Sequence, residues 1–157
     1  MTRRIVVLGV GNLVLGDEGL GIRCVEAFER QSPPDNVRCI DGGTSTHELL
    51  EDLENLDALV ILDAVTSGQP PGTLVRLEGD AIPSAFSNKM SPHQHGINDL
   101  LATLKFLDRA PGRVVLIGVE PLVMELSMEL SPLVWGVMPS MVALVSREVA
   151  ALSAATS

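Results

Sequence analysis

The sequence predicts an α/β protein: a doubly wound, three-layer α/β/α sandwich around a five-stranded, mostly parallel sheet with one antiparallel strand. Three observations predict it. Short, nearly all-apolar runs recur at 5–10, 37–40, 58–62 and 114–119, as they do in strands covered on both faces. Stretches with apolar residues three and four apart lie between them, and strand–helix alternation implies a parallel sheet with helices on both faces. The connection 64–72 is the exception. It is too short for a helical crossover, which takes about a dozen residues or more, so the run that follows it joins antiparallel.

Along the chain, 5–10 (IVVLGV) is the first strand and opens into a glycine-rich turn. Residues 20–30 place Ile22, Val25 and Phe28 three apart, the stripe of an amphipathic helix. The second strand, 37–40, ends at Asp41-Gly42-Gly43. Residues 47–56 offer Leu49, Leu50, Leu53 and Leu56 as a second helix, capped by Thr44 or Ser45 with Glu48 three beyond Ser45. The third strand, 58–62, ends at Asp63. The run 73–77 alternates Leu74 and Val75 with Arg76, which suits a sheet edge. After a loop over 84–96, Ile97, Leu100, Leu101, Leu104 and Leu107 mark a helix over 97–107. The last strand, 114–119, ends near Glu120-Pro121. A long helix over 132–152 closes the chain, with a kink expected at Pro139.

At 157 residues with 46% apolar content, the chain is read as a single domain, residues 1–157, with a sizeable core. The net charge of −9 argues against nucleic acid, which needs clustered Lys and Arg, and equally against anionic membrane surfaces. MTRR before the first apolar run imitates a signal peptide, but Asn12 and an acidic pair follow without a small-residue cleavage site. The apolar stretch 133–145 is shorter than the roughly 20 residues a spanning helix needs. A cytoplasmic protein without membrane insertion is the expectation. Cys24 and Cys39 lack CxxC spacing and read as small core residues.

The glycine-rich turn GVGNLVLGDEGLG (9–21) looks at first like a phosphate cradle. It fails as one. A dinucleotide fingerprint would need Gly where Val14 stands, and Asp17 and Glu18 replace the Lys and hydroxyl residue of a P-loop. No G-x-S-x-G elbow or H-E-x-x-H helix occurs. Ligands of open α/β sheets bind outside the carboxyl ends of the strands. Asp17, Glu18, Asp41 and Asp63 stand there, with His93 and His95 in reach from their loop. Clustered carboxylates raise one another's pKa unless a cation compensates them. Carboxylate with imidazole suits Zn²⁺, Ni²⁺, Mn²⁺ or Fe²⁺. Asp17 reads rather as a group that complements a helix dipole or orients its neighbours, Asp41 equally as a turn residue, and His47 as a surface residue.

GVGN followed by LGDEGLG, DGGT at 41–44, LDA at 62–64, PGT at 71–73 and SPHQ at 91–94 occur in one order over roughly residues 4–150. Together they resemble the nickel–iron hydrogenase maturation endopeptidases. The resemblance implies a doubly wound sandwich with a five-stranded sheet. It also implies one proteolytic cut that removes a short C-terminal extension from the hydrogenase large-subunit precursor after nickel insertion. The family's metal positions match Glu18, Asp63 and His93, and the DGGT acid matches Asp41, associated with function in a less settled role. His95 falls where the family varies, which leaves it at most a supporting group. The Met-rich, acidic segment 120–130 (EPLVMELSMEL) matches no family pattern. Such a segment grips partners adaptably or, more commonly, fills a core.

The resemblance, taken with these residues, implies three expectations. The ligand set reads nickel carried by the precursor, so nickel is supplied by the substrate and no permanent cofactor is expected. Hydrolysis runs through a metal-polarised group or through a carboxylate base such as Asp41. The partner is the large-subunit precursor, and the protein itself is a monomer. The alternatives are a non-catalytic nickel-binding maturation chaperone, or a nucleotide-binding module that the acids at 17 and 18 disfavour.

Overall fold

The computed structural model describes residues 3–43, 49–82 and 92–154, with the side chains of 92–95 left out. Strands β1 (Ile5–Val10), β2 (Val37–Gly43), β3 (Ala58–Ala64), β4 (Leu74–Glu78) and β5 (Arg113–Val119) form one sheet in the order β2-β1-β3-β5-β4. Helices α1 (Leu20–Glu29), α2 (Pro92–Phe106) and α3 (Pro132–Ala154) connect or flank them. All neighbours are parallel except β4, which runs antiparallel to β5 at the edge, as the short 64–72 connection requires.

Alternation along the strands builds the three layers. Successive side chains of a strand point to opposite faces. Ile5 and Val7, Val60 and Leu62, and Val115 and Ile117 therefore enter one core with α1 and α3. Val6 and Leu8, Leu59 and Ile61, and Leu116 enter a second core with Ile97, Leu100 and Leu104 of α2. The edge strand is half exposed, and its Arg76 bonds both Glu148 of α3 (2.7 Å) and Glu78 (2.8 Å).

Helix α3 is long and apolar enough to cross a membrane by length and composition alone. Its stripe of Val134, Met138, Met141, Val145, Val149 and Leu152 nevertheless packs in the core with the strands. It runs through Pro139 without interruption.

The sequence expectation fails in two places. The helix expected over 47–56 is, in its described part, a 3₁₀ turn over Glu51–Leu53, followed by an extended Glu54 and by Asn55 at φ 57°. Leu50, Leu53 and Leu56 are three apart, and a 3₁₀ turn brings residues at that spacing onto one side as well as an α-helix does. Leu53 and Leu56 are accordingly buried in the second core. The expected caps at Thr44, Ser45 and Glu48 lie outside the described residues. Helix α2 also begins at Pro92 rather than Ile97, because a proline is pre-set for the first helical position, where its missing N–H costs nothing. His93 and His95 therefore belong to the first turns of a helix rather than to a loop.

Candidate active site

Strand order β2-β1-β3 puts the topological switch point between β1 and β3, and open α/β sheets bind ligands at the carboxyl ends there. The loop leaving β1 folds back tightly on itself. Gly11 has φ 141°, and a Cβ there would land on the carbonyl oxygen of Glu18. The Asn12 N–H donates to that same carbonyl at 3.2 Å. A 3₁₀ turn, Gly16–Gly19, then carries Glu18 into α1. A Cβ on Gly21 would overlap the carbonyl oxygen of Leu62, so glycine alone lets α1 seat its first turn on the end of β3. The turn bearing Glu18 thereby contacts β3, the strand that carries Asp63.

Both carboxylates are withdrawn from water: Glu18 is 6% exposed and Asp63 fully buried. Asp63 Oδ1 accepts the N–H of Ala64 at 2.8 Å. Ile97, one turn beyond His93, packs in the same core as Val10 and Val65, so α2 starts at this edge. The side chains of His93 and His95, like the whole of His47, lie outside the described residues. Among the described residues, no three His, Cys, Asp or Glu side chains gather closely enough to hold a metal ion. Glu18 and Asp63 are the two acids of the expected metal set, and both stand at this edge.

Asp41 lies in β2, in register with Gly9 of β1. Its carboxylate is exposed, and Oδ1 accepts the N–H of Gly43 at 2.9 Å. It shapes its own turn while standing at the same sheet edge.

Asp17 is different. It is fully buried and spends its carboxylate on the segment after β5. The N–H groups of Leu122, Val123 and Ser131 and the Ser131 hydroxyl donate to it at 2.7–2.9 Å. It orients a distant loop, a role incompatible with ligating a metal through the same lone pairs.

Sequence reasoning missed Glu120. This residue directly follows β5, is 5% exposed, and accepts the N–H groups of Ser67 (2.8 Å) and Gly68 (3.0 Å). The signal was available, because Glu120 ends an apolar strand just as Asp63 does. The PGT motif completes the same clamp. Thr73 closes a turn on the Pro70 carbonyl, and the Gly72 N–H donates to the Glu120 carbonyl at 2.8 Å.

Neither cysteine is a nucleophile. Burial pushes the Cys24 thiol up to about 12. Burial, then the charge of Glu29, pushes Cys39 up to about 11. A thiol must ionise to attack.

A family model described as hydrogenase maturation protease matches residues 22–148. The chain belongs to this family of peptidases. This hydrogenase maturation protease family member is 47% identical over 133 residues to the hydrogenase 2 maturation protease of Escherichia coli, a match covering 83% of this chain and 81% of that protein. It is 45% identical over 124 residues to the hydrogenase expression/formation protein HupD of Rhodobacter capsulatus, covering 78% of this chain and 59% of that one. The solved structure of the hydrogenase maturating endopeptidase HybD from E. coli superposes with a TM-score of 0.88 at 41% identity, covering 94% of this chain and 92% of that one. The maturation protease HybD of Thermococcus kodakarensis shares the fold at 26% identity, with a TM-score of 0.79, covering 92% and 98%.

Proposed function

We propose that this protein is an endopeptidase that removes a short C-terminal extension from the nickel-loaded precursor of a nickel–iron hydrogenase large subunit. The observation that carries the reading is the pair of withdrawn carboxylates, Glu18 and Asp63, brought by two separate elements to the switch point of a maturation-protease fold. Adding the imidazole of His93, the family's third metal position by resemblance, gives an O,O,N donor set suited to Ni²⁺. Nickel arrives as part of the substrate and is shared between precursor and enzyme, so no permanent cofactor is needed. A precursor without nickel would have to meet two buried carboxylates without a compensating cation, an electrostatic reason for processing to follow nickel insertion.

In this reading, Glu18, Asp63 and His93 position the loaded precursor, and alignment lowers the barrier by converting a bimolecular encounter into a held geometry. Asp41, on the neighbouring strand at the same edge, serves as general base toward the attacking water. The substrate, the aspartic-type chemistry and a cytoplasmic, monomeric enzyme all follow from this reading.

The test is incubation with nickel-loaded and nickel-free precursor, followed by intact mass measurement. Loss of a C-terminal peptide from the loaded form alone is expected. Efficient cutting of the nickel-free form would remove the nickel-reading role. Tight binding of free Ni²⁺ with no loss of mass would point to a non-catalytic nickel chaperone instead.

A further inference from the structure

The segment between β5 and α3 carries a chemistry that its surroundings do not use. Leu122, Met124, Leu126 and Met128 are all exposed, Leu126 by 84%. The main chain of Val123 and Ser127, both half-buried, is bonded to the glycine-rich loop. The Gly16 N–H donates to the Ser127 carbonyl (2.9 Å), the Asp17 N–H to the Val123 carbonyl (2.7 Å), and the Ser127 N–H to the Val14 carbonyl (3.0 Å). The side chains of Leu122, Met124, Leu126 and Met128 stay on the solvent side of this backbone, together with those of Glu125 and Glu129. The backbone is thus pinned on one side while these four apolar side chains stay out of the core that Leu130 enters. Val14 and Trp135, the latter on the first turns of α3, are half exposed as well. Several exposed apolar side chains on and beside one loop are a mark of a binding face, and methionine makes it adaptable.

We propose that the 122–128 loop, with Val14 and Trp135, is the docking face for the folded body of the large-subunit precursor. This rests on the reading of the chain as a precursor peptidase. Two observations select that occupant. The face is bonded directly to residues 14–17, so a protein whose nickel reaches Glu18 lies across it. The segment 120–131 also exposes Glu125 and Glu129 and has no Lys or Arg of its own, on a chain of net charge −9; among the described residues, the one cation bonded to it is Arg23 of α1, which donates to the Met128 carbonyl at 3.2 Å. A second copy would set like charges against each other, and an anionic bilayer would repel it. A partner with an apolar patch and a basic rim is complementary. Recognition thereby divides in two. The apolar face holds the precursor with or without nickel, and the carboxylate edge decides whether it is cut.

The test compares wild type with the double variant Leu126→Glu/Met128→Glu and with Phe106→Glu. Phe106 is 88% exposed but lies at the end of α2, toward the opposite edge of the sheet, so it controls for apolar exposure in general. For nickel-loaded precursor the double variant should raise KM at least about tenfold while changing kcat by less than about twofold. It should weaken binding of nickel-free precursor by the same factor. Phe106→Glu should do neither, and thermal melts of all three should coincide. A double variant with wild-type KM and affinity overturns the docking face while leaving the peptidase reading intact. A wild type that cuts no loaded precursor overturns both. A wild type that sediments as a dimer, and that the double variant makes monomeric, assigns the face to a second copy and also overturns the proposal.

Discussion

Asp17 and Val123 hold each other twice. The Asp17 N–H donates to the Val123 carbonyl at 2.7 Å, and the Val123 N–H donates to the Asp17 carboxylate at 2.8 Å. The two residues are 106 positions apart, so this exchange ties the first loop of the sheet to the last. It fixes the turn that carries Glu18.

Asp17→Ala should therefore cost stability before it costs chemistry. It leaves three main-chain N–H groups and a hydroxyl without their acceptor. Hydrogen bonds to a charged group contribute more than neutral ones, and a net loss of about 3 kcal/mol is expected. That corresponds to a fall of roughly 6–12 °C in Tm for a chain of this size. Asp17→Asn should recover only part, because its NH₂ turns a donor toward donors. Calorimetry of the three proteins checks this, and an unchanged Tm for Asp17→Ala would contradict it.

Gly11→Ala should be harsher than its single added carbon suggests. The residue needs φ 141°, and its Cβ would occupy the position of the Glu18 carbonyl oxygen. Strained backbone of this kind costs about 1–3 kcal/mol even without a clash. The turn must shift, so cleavage should fall by more than the loss of stability explains. Activity assayed well below Tm separates the two effects.

Glu18→Gln and Asp41→Asn should fail differently. In the proposed roles, Glu18→Gln loses discrimination between loaded and nickel-free precursor, while Asp41→Asn binds loaded precursor normally and cuts it about 10²–10⁴-fold more slowly. Binding and single-turnover cleavage, measured side by side, resolve this. Unchanged cutting by Asp41→Asn excludes it as the base.

Glu78 supplies a pH signature. Hydrogen bonds from Arg113, then from Arg76, hold its carboxyl below its ordinary value of 4.5. A group whose folded pKa is depressed stabilises the fold above the unfolded pKa and loses that contribution as pH falls through the folded one. The Tm difference between wild type and Glu78→Gln should thus be constant from neutral pH down to about 5 and vanish at lower pH. Exposed pairs are screened, so the difference should stay below about 1 kcal/mol and shrink in high salt.

How much of this was legible in the sequence depends on the range of the interaction involved. Strand β1 matches its expected bounds because its apolar run is dictated residue by residue. The antiparallel edge of β4 followed from chain length alone, a constraint no tertiary contact can relax. The acids at the carboxyl edge could be named for the same reason: topology sends every such strand end to one side. The 49–56 stretch went wrong because its leucine spacing serves two helical periods, and only packing chooses between them. Glu120 was legible by position, since it ends an apolar strand as Asp63 does, but its role was not, because its partners Ser67 and Gly68 are remote in sequence.

The sequence by itself determined the layers, the one antiparallel strand and the acids at the carboxyl ends of the strands, because hydrophobic period and connection length act locally. Only the tertiary structure decided what each acid does. Glu18, Asp17, Asp63 and Glu120 are the same chemical group in similar positions. Three-dimensional packing sets which of them faces the sheet edge and which is consumed by main-chain N–H groups more than 50 or 100 residues away. It also decided that the methionines of the 120–131 segment face solvent, because Asp17 holds that loop's backbone inward and leaves its apolar side chains outside.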